Sequence, residues 1–139
     1  MPCPIARALD LIGEWWTLLI LREAFANVRR FDDFQANLGI ARNILAARLK
    51  SLVAAGILEK HPLPEEGARR VEYRLSAKGR ALRPVLLALA EWGNAFGDCE
   101  PLVSLETTDE GDPVKIAIVN ASTGQIVEPK QVRIRRLHA

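Results

Sequence analysis

The sequence predicts a mainly α fold with a small amount of β structure (α+β), and three observations support this class. Apolar residues recur every three to four positions through most of residues 5–54 and 77–97, which is typical of amphipathic helices. Two stretches between Ile57 and Ser76 instead favour strands, and a loop rich in proline and glycine separates them. After Pro101 the apolar period falls to two, so we expect a short run of antiparallel strands there.

Two helices are expected at the start of the chain. The first begins after Pro4, which suits a helix start, and ends at Gly13. The residues on its apolar face are Ile5, Ala8, Leu9 and Ile12. The second contains the run 15–21, which is apolar nearly all round, so we expect a buried central helix with Trp15 and Trp16 in the core. A ligand pocket lined by one of these tryptophans is the alternative.

The next two predicted helices are separated by a tight turn. Residues 31–38 carry a helical apolar stripe, and Gly39 supplies the stop. A helix over residues 41–54 follows at once and ends before Gly56. The inward residues of this helix are Leu45, Leu49, Leu52 and Val53. Two short helices joined so closely predict a helix-turn-helix motif.

The outer face of the 41–54 helix is polar, cationic and built from short side chains. Its residues are Arg42, Asn43, Ala46, Ala47 and Lys50. Alanine allows close approach, asparagine can bond an adenine edge in bidentate fashion, and arginine or lysine can reach guanine or phosphate. A helix with this face is suited to the major groove of duplex DNA.

A hairpin follows, with expected strands over 57–61 and 70–76. The connection over 62–69 is too long for a two-residue turn and too rich in proline and glycine for a strand, so it should project as a wing. Arg69 and Arg70 lie near the tip of this wing, where they can bind backbone phosphate or a narrow minor groove.

Positive charge is concentrated on this part of the chain. Residues 29–80 hold eleven Lys/Arg against six Asp/Glu, whereas residues 100–139 hold five against six. Arg29 and Arg30 are further candidates for phosphate contacts, although an arginine pair is often only a solvated surface. Arg48 borders the apolar stripe, and a salt bridge within the domain and a phosphate contact are both open for it.

Several motifs between residues 3 and 97 occur together. They are Cys3-Pro4, Leu9-Asp10-Leu11-Ile12-Gly13, Trp16-Thr17-Leu18-Leu19-Ile20-Leu21-Arg22-Glu23, Arg30-Phe31, Leu45-Ala46-Ala47-Arg48-Leu49, Ala55-Gly56-Ile57-Leu58 and Tyr73-Arg74-Leu75-Ser76-Ala77-Lys78-Gly79. Together they resemble the HxlR-type winged helix-turn-helix transcriptional regulators, a MarR-like family. The sequence departs from the family at Ala41 and Arg42, where members often have a capping Ser or Thr.

The resemblance implies a DNA-binding domain over residues 1–98, and the change to period two predicts a small antiparallel β extension over 99–139. The resemblance also implies a homodimer, and we expect it to read a pseudo-palindromic operator through helix 41–54 and wing 62–69 and to act as a repressor. A winged-helix protein-interaction module without DNA binding is the alternative. In the extension, strands are expected over 114–119, 126–127 and 132–135.

The longest expected helix covers residues 77–97. Its apolar stripe is wider than one small domain can cover, so we expect a second subunit to cover part of it. The resemblance agrees, because family members dimerise through their first and last helices. Candidate interface residues are Ile5, Leu9, Leu82, Val85, Leu86, Leu89, Trp92 and Phe96. A helix that folds back on its own domain is the alternative.

Cys3 is a candidate redox sensor, because the resemblance includes members whose N-terminal cysteine senses oxidants or electrophiles. Its position just before a helix, with Arg7 one turn on, favours a thiolate. A buried, inert cysteine is the alternative. Pairing with Cys99 requires a geometry that the sequence does not define.

The remaining patterns argue against other classes. There is no glycine-rich phosphate loop, nucleophile elbow or metal-ligand spacing, so we expect no enzyme, metal or cofactor. Neither a signal peptide nor a membrane-length apolar run is present, so we expect a cytoplasmic protein without membrane association. The expected partners are operator DNA, a second copy of the chain, and an oxidant or small-molecule effector.

Overall fold

The computed structural model describes residues 3–67 and 69–137, and the α+β class is confirmed. The helices are α1 (Pro4–Ile12), α2 (Trp15–Phe25), α3 (Phe31–Leu38), α4 (Arg42–Ala54), α5 (Ala77–Arg80) and α6 (Arg83–Phe96). The strands are β1 (Leu58–Pro62), β2 (Val71–Leu75), β3 (Ile118–Val119) and β4 (Ile126–Val127). Contacts divide the chain into a first unit that ends at Leu86 and a second unit that starts at Leu87. This division falls inside α6, whereas the sequence placed a domain boundary at 98/99.

Helices α1 and α2 begin and end close to the expected positions. Pro4 is the first residue of α1, and the N–H of Gly13 donates to Leu9 O at 2.8 Å. The carboxylate of Glu14 caps α2 by accepting the N–H of Trp16 at 3.0 Å.

The expectation that α2 is buried all round is wrong for Trp15. The buried residues of α2 are Thr17, Ile20, Leu21 and Ala24, which share one face. Trp15 precedes Thr17 by two positions, more than half a turn around the helix, and is 73% exposed. Trp16 does pack against the core, in part buried. An apolar run therefore marked the helix correctly but did not identify which side faces the core.

Helices α3 and α4 form the expected helix-turn-helix. Gly39 follows α3 with φ +65°, in the left-handed region, and its N–H donates to Gln35 O at 2.9 Å. Gly56, with φ +73°, lies just beyond the end of α4. Between these turns the inward stripe of α4 is buried in the core of the first unit, whose apolar members are Ile12, Ile20, Leu21, Ala24, Phe34, Ile40, Leu45, Leu49, Leu52, Ile57, Leu58 and Tyr73.

The hairpin is antiparallel, with Leu58 opposite Leu75 and Pro62 opposite Val71. The N–H of Tyr73 donates to Arg29 O at 2.7 Å, so the segment between α2 and α3 runs beside β2. The wing between the strands contains a 3-10 turn, Pro64–Glu66. Ala68, part of the expected wing, lies outside the described residues.

The expectation of one helix over 77–97 is wrong, because α5 ends at Arg80 and α6 begins at Arg83. Pro84 explains the break: it has no N–H to donate to the carbonyl of Arg80, four residues earlier, and it is tolerated only in a first helical turn. Within the described residues, no helix is long and apolar enough to cross a membrane.

A glycine at position 79 is required by the contact between α5 and the hairpin. A Cβ added at Gly79 would lie 2.3 Å from the backbone oxygen of Ile57. Ser76, the N-cap of α5, accepts the N–H of Gly79 at 3.0 Å and donates to Ile57 O at 3.0 Å. Residues 76–79 of the sequence motif therefore connect the end of β2 to Ile57, in the short segment that leads from α4 into β1.

The second unit is held together mainly by hydrogen bonds. The Asn94 side chain on α6 donates to Val103 O at 2.7 Å and accepts the N–H of Leu102 at 3.1 Å. The N–H of Ile116 donates to the Glu91 carboxylate at 2.7 Å. Strands β3 and β4 pair as a two-residue antiparallel ladder. The expected strands over 114–117 and 132–135 are wrong, because neither segment pairs with another strand among the described residues.

Candidate DNA-binding surface

The side of α4 that faces solvent is determined by the side that is buried in the core. Leu45 and Leu49 are 0% exposed and Leu52 is 1% exposed, so the opposite side of the helix must face solvent. The residues on that exposed side are Arg42, Asn43, Ala46, Ala47 and Lys50, all of them predicted as DNA-binding. The helix therefore presents a cation, an amide and two methyl groups in its first two turns, without a bulky side chain among them.

The N-terminus of α4 has no side-chain cap. Ala41 occupies the N-cap position with an extended backbone and forms no side-chain cap hydrogen bond, as its methyl side chain predicted. The first-turn N–H groups have no intrahelical acceptor, and the helix dipole places partial positive charge at the same end. Such an end is suited to a phosphate oxygen.

Arg42 is oriented by two residues of α3. Its guanidinium carbon lies 4.6 Å from the ring centroid of Phe31, and Nη1 lies 3.7 Å from Asp32 Oδ1. Because the Arg42 side chain is 71% exposed, the ion pair contributes little, and a cation–π contact at an exposed site contributes about 0.5–1 kcal/mol. These weak contacts point the guanidinium across the turn and leave it free to move to another acceptor.

Arg30, predicted as a phosphate contact, is engaged within the protein. Its Nη1 and Nη2 donate to Glu66 Oε2 and Oε1, a bidentate pair between the N-cap of α3 and the wing. The Glu66 carboxylate raises the pKa of Arg30, and the hydrogen bond from Arg30 lowers the pKa of Glu66. Arg29 next to it has an exposed side chain and contributes its backbone oxygen to β2.

The wing and the start of α4 border one open cavity of about 250 Å³. Four of the predicted DNA-binding residues line it: Arg30, Arg42, Arg69 and Arg70. Two carboxylates, Asp32 and Glu66, lie among them. Tyr73 forms part of the inner wall, and burial raises the pKa of its phenol. The fold thus brings together arginines from three separate stretches of sequence.

Sequence reasoning missed the acidic and aromatic residues that orient these arginines. In the sequence, Phe31 belongs to the apolar stripe and to the Arg30-Phe31 motif, neither of which predicts its contact with Arg42, and nothing singles out Asp32 or Glu66. No local spacing could have revealed Glu66, because its partner Arg30 is 36 residues away. Asp32 and Arg42, in contrast, lie near the starts of two consecutive helices, α3 and α4. Their opposite charges were a usable signal that the two side chains meet.

Arg48 had two open interpretations, and the structure shows the salt bridge. Arg48 Nε lies 3.2 Å from Glu14 Oε2, an ion-pair distance, without the alignment of a hydrogen bond. Glu14 is also the N-cap of α2, so its carboxylate connects α2 to α4. Arg48 is therefore half-buried within the domain, away from the exposed row of α4.

The candidate interface residues fall into two groups. Six are exposed: Ile5, Leu9, Val85, Leu89, Trp92 and Phe96. Leu82 and Leu86 are instead partly buried against the core of the first unit, so the start of the stripe packs on its own domain. The rings of Trp92 and Phe96 lie 5.8 Å apart, centroid to centroid, and form an open aromatic surface near the end of α6.

Cys3 is half-buried at the N-cap position of α1, and its carbonyl oxygen accepts the N–H of Arg7 at 3.0 Å. Cys99 is exposed, and both thiols are free. Across residues 3–67 and 69–137, no group of three or more His, Cys, Asp or Glu side chains could hold a metal ion.

The helix-turn-helix, the paired strands and the wing define a winged helix-turn-helix protein. The chain belongs to the HxlR-like helix-turn-helix family, whose sequence pattern matches residues 11–101. It is a transcriptional regulator of that family, and its relatives are regulators rather than enzymes. One relative is the uncharacterized HTH-type transcriptional regulator Rv3095 of Mycobacterium tuberculosis, 38% identical over 92% of this chain and 73% of that protein.

Solved structures agree with this assignment. PA1607, a candidate transcription factor, matches with a TM-score of 0.86 and 41% identity over 97% of this chain and 95% of its own. The redox regulator HypR in its reduced form matches with a TM-score of 0.61 and 31% identity over 69% of this chain and 95% of its own. Reduced YodB of B. subtilis matches with a TM-score of 0.61 and 33% identity over 70% of this chain and 97% of its own. YodB has also been solved with quinone bound. The chain is thus related to redox-responsive regulators.

Proposed function

We propose that this regulator binds a pseudo-palindromic operator in duplex DNA as a homodimer and represses nearby genes. The observation that carries the proposal is the exposed outer face of α4, where Arg42, Asn43 and Lys50 lie opposite fully buried leucines. A rigid helix with a buried apolar side and a short polar outer side can enter the major groove without rearrangement. The chain would act where the DNA is, in the cytoplasm.

Each residue of α4 has a separate part in this mechanism. The amide of Asn43 matches the donor and acceptor of an adenine edge, and Arg42 reaches a guanine edge or a phosphate. Lys50, two turns further along the helix, provides a phosphate contact. Ala46 and Ala47 allow the helix axis to approach the bases closely.

Dimerisation would place two copies of α4 one turn of the double helix apart. The exposed apolar residues on α1 and α6, such as Leu9 and Trp92, supply surface for that contact, as their exposure in a single chain suggests. The wings would then lie over the flanking backbone or minor groove, with Arg69 and Arg70 as the cations that they offer.

The proposal is tested by selecting operator sequences from a random duplex library and measuring affinity at fixed salt. Arg42→Ala and Asn43→Ala should each cost about 1–3 kcal/mol and relax the preference at one base pair in each half-site. Arg133→Ala removes the same charge from an exposed position in the second unit and serves as the control.

Two results would count against this mechanism. Equal loss on every sequence would assign the α4 residues to phosphate contacts rather than base readout. No salt-dependent affinity for any duplex would make the chain a protein-interaction module.

The response to a signal is proposed to start at Cys3. Support comes from its half-buried place at the start of α1 and from the relation to HypR and YodB, which have been solved in reduced and in oxidized or quinone-bound forms. Peroxide or quinone should lower operator affinity of the protein, and Cys3→Ser should abolish that change. Cys99→Ser, at the exposed second thiol, is the matched control and should leave the response intact. If the unchanged protein and Cys3→Ser bind the operator alike before and after oxidation, the redox response is wrong, and the search turns to a non-covalent small-molecule effector or to no effector.

A further inference from the structure

A bidentate side-chain pair joins the wing to the start of α3. Among the side-chain hydrogen bonds of the described residues, the Arg30–Glu66 pair is the one that joins wing residues 63–67 and 69–70 to α3. The wing's other hydrogen bonds are internal: Leu63 N–H donates to Arg70 O at 2.8 Å, and Arg70 N–H donates to Gly67 O at 3.1 Å. Those bonds close the loop but do not orient it toward α3.

A bidentate pair fixes orientation as well as distance. Both terminal nitrogens of Arg30 face both oxygens of Glu66, so the guanidinium and carboxylate planes are aligned. Arg30 is the N-cap residue of α3, and Glu66 ends the 3-10 turn of the wing. The contact therefore joins the start of a helix to the end of a 3-10 turn.

The charge of Glu66 needs an explanation on a surface that faces DNA. A free carboxylate there would repel phosphate oxygens. Paired with Arg30, and with Arg70 also lowering its pKa, Glu66 stays ionised while its charge is compensated. The pair leaves Arg69 and Arg70 as the cations of the wing that are available to the DNA backbone.

We propose that the Arg30–Glu66 pair is a latch that sets the position of the wing relative to α3 and α4, so that Arg30 is a positioning residue and not a phosphate contact. The proposal rests on the proposed DNA binding. The pair would hold the wing arginines at a fixed distance from α4. That distance decides whether α4 can contact the major groove while the wing contacts the flanking backbone.

The sign of one mutational effect tests the latch. Glu66→Gln removes a negative charge from the DNA-facing surface, so electrostatics alone predicts tighter operator binding. The latch predicts weaker binding, by about two- to five-fold, because an exposed pair of this kind contributes modestly. Glu65→Gln is the matched control: Glu65 lies in the same 3-10 turn, is exposed, and forms no ion pair among the described residues. It should bind DNA as tightly as the unchanged protein or slightly more tightly.

A charge exchange and a salt titration separate the latch from a phosphate contact. The double variant Arg30→Glu with Glu66→Arg should recover most of the affinity that each single variant loses. Arg69→Ala with Arg70→Ala should reduce the slope of log affinity against log salt by up to about 1.8 per subunit. Adding Arg30→Ala to that double variant should leave the slope unchanged, because the wing then has no cation left to position, whereas loss of a phosphate contact by Arg30 would reduce the slope by up to about 0.9 more.

A measurement without DNA keeps the latch separable from the proposed function. In the full chain, an NMR titration should give Glu66 a pKa below the ordinary carboxyl value, and Arg30→Ala should raise it toward that value, because Arg30 is the main cause of the lowered pKa. An ordinary Glu66 pKa, or tighter binding by Glu66→Gln with a further loss of salt slope when Arg30→Ala is added to the Arg69→Ala, Arg70→Ala variant, would overturn the latch alone. Failure of the unchanged protein to bind any duplex, with a lowered Glu66 pKa, would overturn the proposed function instead.

Discussion

The two units of the chain differ in how they are stabilised. The first unit, up to Leu86, buries a continuous apolar core that includes Phe34, Leu45 and Leu49, each 0% exposed. In the second unit, none of the described residues is buried, and Leu102 and Ile134 are 82% and 83% exposed. Apolar burial therefore accounts for the stability of one unit and not of the other.

This difference indicates where a second chain would bind in the proposed dimer. Hydrogen bonds such as those of Asn94 give the second unit a defined backbone, yet each contributes only about 0.5–1.5 kcal/mol net. Large aliphatic and aromatic side chains left open to water are typical of interfaces rather than of isolated surfaces. We therefore expect the second half of α6, and with it the extension, to acquire its core on dimerisation, in line with the proposed function.

The largest expected effect contrasts one phenylalanine from each unit. Phe34→Ala should lower the free energy of unfolding by about 3–5 kcal/mol, because it leaves a cavity in a closed core. Phe96 is 73% exposed, so Phe96→Ala should change the unfolding of a single chain by less than about 0.5 kcal/mol. Urea denaturation at low protein concentration checks both. Equal losses would mean that the second unit has a core of its own.

A charge on α6 should separate the chains. Leu89 is 48% exposed in a single chain, and Leu89→Glu would place a carboxylate in the proposed interface. The dissociation constant of the dimer should rise at least about 100-fold, or about 2.8 kcal/mol, while the first unit stays folded. Analytical ultracentrifugation with circular dichroism measures this, and Ser51→Glu adds the same charge at an exposed position of α4, outside the proposed interface, as the control. A stable, folded Leu89→Glu dimer would place the interface elsewhere.

Local signals in the sequence predicted most of the helices and strands of the first unit. Gly39 and Gly56 stopped helices where left-handed backbone was needed, and the spacing of Leu45, Leu49 and Leu52 predicted which side of α4 is buried. Because the outer face is fixed by the inner one, the predicted reading residues of α4 were all found exposed. Such features depend on neighbours within a few positions, and a single sequence contains them.

Features that depend on distant partners were not predictable. The Arg30–Glu66 and Arg48–Glu14 pairs join residues far apart in the chain, and no spacing rule selects one carboxylate among several. The exposure of Trp15 depends on which side of α2 meets the core. The break before α6, in contrast, had a local signal. Pro84 indicates a helix start, but the apolar stripe over residues 77–97 favoured one continuous helix.

The third prediction concerns the close contact at Gly79 in the first unit. Gly79→Ala would place a methyl group 2.3 Å from the backbone oxygen of Ile57, and a backbone atom cannot rotate away as a side chain can. We expect the free energy of unfolding to fall by about 1–3 kcal/mol, the usual range for overpacking. The midpoint of urea unfolding measures the change. Unaltered stability would mean that the hairpin and α5 move apart without cost.

The smallest expected effect is the matching change in the second unit, Gly93→Ala. A Cβ at Gly93 would meet nothing within 4 Å, and the residue lies inside α6, where alanine favours the helix over glycine. The substitution should therefore raise the free energy of unfolding of the separate chain by about 0.5–1 kcal/mol, because the unfolded state loses freedom and the folded state loses nothing. Thermal unfolding of Gly93→Ala in the Leu89→Glu variant, which is expected to be monomeric, measures this change in unfolding free energy without a contribution from the dimer. Repeating the measurement in the dimer makes Gly93 a probe of the partner: a lower dimer affinity would show that a second chain approaches this position closely, because only then would the added methyl group meet an atom. Stabilisation in both states would instead mean that no partner atom approaches Gly93, and because Leu89 lies one turn away on the same side of α6, the interface would then be centred towards Trp92.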